Sequence, residues 1–145
     1  MIANPKIIFL SVTTNQQKIA SICLHIQQHF IKNEAVMIWV SNDLAMQYLD
    51  DLLWKFPSDS FLPHVVSNIE SREKIIISSV QKNLNQAKVL VNLSSTPCLN
   101  VEQFEYIYEL YDETHPDKLH QSKQRHQAYL ERNFSLISNG AFSSQ

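Results

Sequence analysis

Histidines, cysteines and carboxylates are this chain's raw material for chemistry, and their spacing decides how much of it they can do. His25 and His29 stand four residues apart, the interval at which one helix can offer two imidazoles to a metal. No Asp or Glu accompanies them, and they fall away from the apolar stripe of their segment. They read as surface histidines, and no metal site is expected. Cys98 follows Pro97 in a polar stretch and reads as an exposed thiol. A nucleophilic cysteine needs a base and an oxyanion site, and nothing in the sequence places His64 or His115 beside it. Cys23 belongs to an apolar stripe and reads as packing. Asp50–Asp51 and Asp112–Glu113 are adjacent pairs. Neighbours on a helix diverge by about 100°, so Asp50–Asp51 makes a poor acid/base pair, and both pairs read as solvated charge. With no Ser-His-Asp signature and no metal triad, no catalytic residue is expected.

Two other groups suit binding better than catalysis. In the segment ending Leu49-Asp50-Asp51-Leu52-Leu53-Trp54-Lys55-Phe56, helical spacing puts Leu44, Ala45, Tyr48, Leu49, Leu52 and Phe56 in one stripe. Trp54 falls on the opposite side, beside Asp43, Gln47 and Asp50, and is followed by Pro57, Phe61 and Pro63. Either the loop folds back over the indole, or an aromatic surface is left for a partner. The second group is in the last helical segment. Lys123, His126, Gln127 and Leu130 project in one sector, while Lys118, Arg125 and Arg132, seven apart, line a neighbouring edge. Cations beside aromatic and apolar groups can take the carboxylate and side chain of a peptide terminus together. A plain solvated helix is the other reading.

These residues need a scaffold, and the rest of the chain describes one. With 145 residues, 44% hydrophobic and 18% charged, the chain has the composition of one soluble globular domain. A net charge of -2 excludes a global basic field for a DNA duplex. Its longest apolar runs, such as Ile7–Leu10, are too short to span a bilayer, and Met1 opens no secretory signal. Two cysteines without framework spacing point to a reducing compartment, and the cytoplasm is the expected location. The only glycine is Gly140. A phosphate-cradling loop needs several, so a dinucleotide fingerprint is absent and no cofactor is expected.

Lys6 to Val12 predicts a buried strand, and Thr14 or Asn15 caps the helix after it. Ile19, Ile22, Cys23, Ile26 and Phe30 carry that helix's period. Ala35 to Val40 predicts a second strand, with Ser41 or Asn42 capping the helix that bears Trp54. Lys74 to Ser79 and Lys88 to Leu93 predict two more strands, with a turn or short helix across Val80–Gln86. From Phe104 to Tyr111, alternation predicts a half-exposed strand near a sheet edge. Pro116 opens a last helix running to about Arg132, followed by a short strand over Phe134–Ile137. The expected fold class is α/β, a single three-layer Rossmann-like domain with a mostly parallel central sheet flanked by helices. Residues 1–138 make that domain, and 139–145 are expected to form a flexible tail.

The run Leu49-Asp50-Asp51-Leu52-Leu53-Trp54, then Pro57, then Ser60-Phe61-Leu62-Pro63-His64, resembles a motif of the chi subunit of bacterial DNA polymerase III. Arg125, Tyr129, Glu131-Arg132 and Phe134 are similar to that family's last helix and final strand, and the strand–helix–strand opening matches in order. The resemblance implies a non-catalytic replication subunit that links the clamp loader to single-stranded DNA-binding protein. It would do so by gripping the acidic, Phe-terminated tail of that protein, with any DNA contact indirect. The tail site it implies is Lys123, His126 and Gln127, with Arg125 close by. It also implies that Trp54, Pro57, Phe61 and Pro63 receive the psi subunit or an alternative partner such as a helicase. His126 stands where relatives often carry Tyr, Gln127 where a basic residue is common, and Asn133 where Gly is usual. The first two weaken a cationic grip and introduce a group that titrates near neutrality. Asn133 still tolerates a left-handed turn. A small nucleotide-binding or enzymatic domain on the same sheet is the alternative, which the missing glycine loop opposes.

Overall fold

The computed structural model describes residues 5–55 and 62–140. Seven strands form one sheet in the order β3-β4-β2-β5-β6-β1-β7. Their ranges are β1 Lys6–Val12, β2 Val36–Trp39, β3 Val65–Val66, β4 Ile75–Ser78, β5 Val89–Asn92, β6 Tyr106–Asp112 and β7 Leu136–Gly140. Every pair of neighbours is parallel. Three helices accompany them: α1 Asn15–Ile31, α2 Asp43–Lys55 and α3 Pro116–Glu131.

The near-continuous apolar runs of β2, β4 and β5 follow from this arrangement, since a parallel sheet is covered on both faces and all their residues are buried. On one face Leu10, Ile38, Ile77, Val91 and Leu110 pack against Ile22, Cys23 and Ile26 of α1 and Leu49, Leu52 and Leu53 of α2. On the other, Ile7, Phe9, Met37, Trp39 and Ile107 pack against Tyr129 of α3 and the loop residues Leu84, Cys98, Val101 and Phe104. The result is a three-layer Rossmann-like domain.

Local chemistry sets the element ends. Thr14 caps α1 by accepting from Gln17 N at 3.1 Å, and Asn42 Oδ1 accepts from Ala45 N at 2.9 Å to open α2. Pro116 occupies the first turn of α3, behind a His115 cap. Two helices leave through left-handed asparagines, Asn33 at φ 63° and Asn133 at φ 66°, so Asn133 does keep the turn.

Four expectations change. The strand after Phe104 is no edge: β6 lies between β5 and β1, with Glu109 fully buried. Its alternation of charge arose because one glutamate is compensated inside the protein. On α2 the buried stripe is Leu49, Leu52 and Leu53, whereas Leu44 and Tyr48 are exposed. Residues 80–86 take the first of the two forms expected there, a turn. A two-residue strand, β3, appears where none was foreseen, and β7 reaches Gly140, two residues into the segment expected to be loose. Phe56 of the expected stripe lies outside the described residues.

Candidate functional site

Glu109 is the chemical centre of the α3 side. Its Oε1 accepts from Arg125 Nε at 2.9 Å, and its Oε2 from Tyr129 OH at 2.6 Å and Asn92 Nδ2 at 2.7 Å. Burial pushes the Glu109 carboxyl above the usual range, against the pull of the Arg125 guanidinium and the Tyr129 and Asn92 donors. Tyr129 OH in turn accepts from Cys98 N at 2.7 Å. Arg125 also donates through Nη2 to Leu110 O at 3.0 Å. Four segments are thereby clamped together, which makes this network structural.

The clamp corrects the expected edge of cations on the last helix. Arg125 is only 6% exposed and faces the sheet, not Lys123. Arg132 donates to Cys98 O and Leu99 O at 2.8 and 2.6 Å, so it closes the loop before β6. Lys118 and Arg132 are both exposed and form no ion pair among the described residues, but Lys118 alone of the three has no side-chain hydrogen bond there. The other predicted residues do come together. Lys123 and Gln127 are exposed one helical turn apart, with half-buried His126 between them. The His126 ring stands edge-on to Phe9 at 4.8 Å and to Tyr111 at 6.2 Å. Burial against these rings lowers the His126 pKa, so at neutral pH the imidazole is uncharged.

Trp54 lies across the sheet from this surface, at the end of α2. It is 53% exposed, donates through Nε1 to Asp50 at 3.1 Å, and lies against the His64 ring at 4.3 Å, tilted by 36°. His64 is buried, with Nδ1 at 2.8 Å from Leu62 O and Nε2 at 2.8 Å from Asp50 Oδ1. Asp50 is therefore a shared acceptor. Pro63 is half-buried nearby in sequence, and Pro57 and Phe61 lie outside the described residues. α2 packs on β3 and β4, and α3 on β6 and β7, so the two surfaces occupy opposite faces near opposite ends of the sheet.

The residues first weighed for catalysis have other roles. Cys98 is fully buried, and burial pushes its thiol up to about 12, so it is not the expected exposed thiol. His29 is buried as well, its Nδ1 2.8 Å from Glu34 Oε1 and its Nε2 2.6 Å from Tyr108 OH. Its helix phase misled because a polar pair, not apolar packing, receives it. Asp112, read as solvated, is 3% exposed. Burial raises its pKa, but hydrogen bonds from Lys18, at 2.7 Å, and Thr114 outweigh that and hold it below the usual value. Among the described residues no three His, Cys, Asp or Glu side chains gather as a metal site, and no helix is long and apolar enough to cross a membrane. Sequence reasoning missed Phe9, Tyr111 and His64 as neighbours of the binding residues. The strand register and the placement of Leu62–His64 against α2 bring them there.

Fold and surfaces together define a parallel α/β domain with two separate, aromatic-bearing faces. Its family follows from the match of residues 5–137 to the family described as DNA polymerase III chi subunit, HolC. The chain belongs to that family and is an accessory subunit of DNA polymerase III. A search of curated proteins finds no match.

Proposed function

We propose that the chain is a non-catalytic adaptor that joins the clamp-loader complex to single-stranded DNA-binding protein. The outer face of α3 grips the acidic, Phe-terminated tail of that protein. Lys123 meets the acidic residues, Gln127 supplies amide donors, and His126 with Tyr111 offers a ring-lined seat for the terminal Phe, backed by the buried Phe9. Arg125 serves this site by fixing α3 to β6. Trp54, Pro57, Phe61 and Pro63 receive the second partner, the psi subunit or a helicase, and DNA contact is indirect. No cofactor enters this function, which is exercised in the cytoplasm.

The observation that supports this reading best is the exposed Lys123 beside the half-buried rings of His126 and Tyr111, with the buried Phe9 ring behind His126. A synthetic peptide ending in acidic residues, Pro and Phe should bind at micromolar strength, and less tightly as salt rises. A peptide lacking the terminal Phe should fail. Equal affinity for both peptides would remove the ring seat from the account.

A further inference from the structure

At the carboxyl ends of β1, β2, β5 and β6, between the first turns of α1 and α2, a cavity of about 430 Å³ opens beside the inner side of α3. Open parallel sheets bind small molecules at this edge, where the connections of two neighbouring strands part. Here the chain leaves β2 toward β3 and β4, and leaves β5 toward β6. Residues after both strands, Ser41 and Ser95 among them, line the opening. The cavity therefore sits where the topology opens a crevice, and its size suits a ring-sized molecule.

Its floor is apolar, including Ile19, Ile22, Leu49 and Leu52. Its charged lining is Lys18, Lys118, Arg125 and Asp112. Lys18 is committed to Asp112 at 2.7 Å. Arg125 spends Nε on Glu109 and Nη2 on Leu110 O and Ser122 Oγ. Its third nitrogen, Nη1, has no hydrogen-bond partner among the described residues, although the side chain is only 7% exposed. Nη1 is not among the fully buried polar atoms that lack a partner, so it meets the cavity as a solvent-reached donor that an anion can take up. Lys118, on the rim, forms no ion pair among the described residues either. Once the two internal pairs are matched, the lining keeps a surplus positive charge and one guanidinium donor open to the cavity.

We infer that this cavity binds a small molecule with one oxyanion and an apolar, ring-sized body. The oxyanion lies between Lys118 and Arg125 Nη1, and the body rests on the isoleucine–leucine floor. A carboxylate and a phosphate monoester share this chemistry. The site is separate from the tail-binding face, since it uses the inner side of α3 and not Lys123.

Amide chemical shifts followed during titration with 3-phenylpropanoate and with deoxycytidine monophosphate test the inference. The neutral counterparts, 3-phenylpropanamide and deoxycytidine, serve as controls. At least one anion should saturate, with shifts centred on Ala45, Leu49, Ser95 and Gln121, and its neutral counterpart should bind about tenfold more weakly. Saturation by the first anion alone assigns a carboxylate, by the second alone a phosphate monoester, and by both the shared oxyanion site. Lys118→Glu, at an exposed position, should weaken binding about fivefold, while Lys123→Glu leaves it unchanged. Ala45→Phe, which fills the cavity, should abolish it with the remaining spectrum intact. The inference fails if neither anion saturates by roughly 10 mM, if the neutral molecules bind equally well, or if Lys118→Glu has no effect.

Discussion

Arg125 shows how much one residue's meaning depends on what faces it. In the sequence it is a cation on a helix with other cations. In the fold it neutralises Glu109, a carboxylate with no solvent exposure. Removing one partner of a buried pair strands the other, so Arg125→Leu should cost roughly 3–5 kcal/mol in urea unfolding. Lys123→Leu, on the outer face, should change stability by less than about 0.5 kcal/mol. His126 behaves in the opposite sense to a free surface histidine. Its pKa is lowered by burial, so it carries no charge at pH 7 and gains one only as pH falls below the ordinary histidine value. Tail affinity should therefore be flat from about pH 8 to 7 and rise on further acidification, when an added positive charge meets acidic residues. His126→Phe should remove that rise, which titration calorimetry across the pH series would show.

At the scale of elements, α2 separates packing from display. Leu53 is 2% exposed and Trp54, its neighbour, 53%. Leu53→Ala should cost about 2–5 kcal/mol through a cavity, while Trp54→Ala, at a half-exposed position, should cost about 1–2 kcal/mol, with the His64 ring contact and the Asp50 bond among its losses. Thermal unfolding of the two variants measures the difference. The position of Trp54 opposite the apolar stripe was readable from the 100° advance, and β1, α1 and α3 from apolar runs, helical period and capping residues. The asparagine turn at Asn133 came from the family resemblance. The place of β6 was not readable. Its alternating Tyr and Glu residues carry the local signature of a half-solvated strand, and only the distant Arg125 and Tyr129 reveal that Glu109 is internal. The same holds for Cys98 and His29, whose burial depends on partners from other elements, among them Tyr129 and Tyr108. Local period is written in the sequence; the compensation of a buried polar group is written in contacts across it.

At the scale of the whole molecule, a parallel sheet places α2 and α3 on opposite faces near opposite ends. That layout suits an adaptor, because a guest at Trp54 and a guest at Lys123 need not compete. It also explains how a chain of net charge -2 could hold an acidic tail: what counts is the local field of one helix face, not the total. The central claim is that the outer face of α3 is the tail site, and calorimetric titration of the acidic Phe-terminated peptide tests it most directly. The double variant Lys123→Glu/Gln127→Glu, which leaves the Arg125–Glu109 clamp untouched, should retain its unfolding temperature and bind the peptide at least about tenfold more weakly. Unchanged affinity in that folded variant would contradict the account and move the tail elsewhere on the molecule.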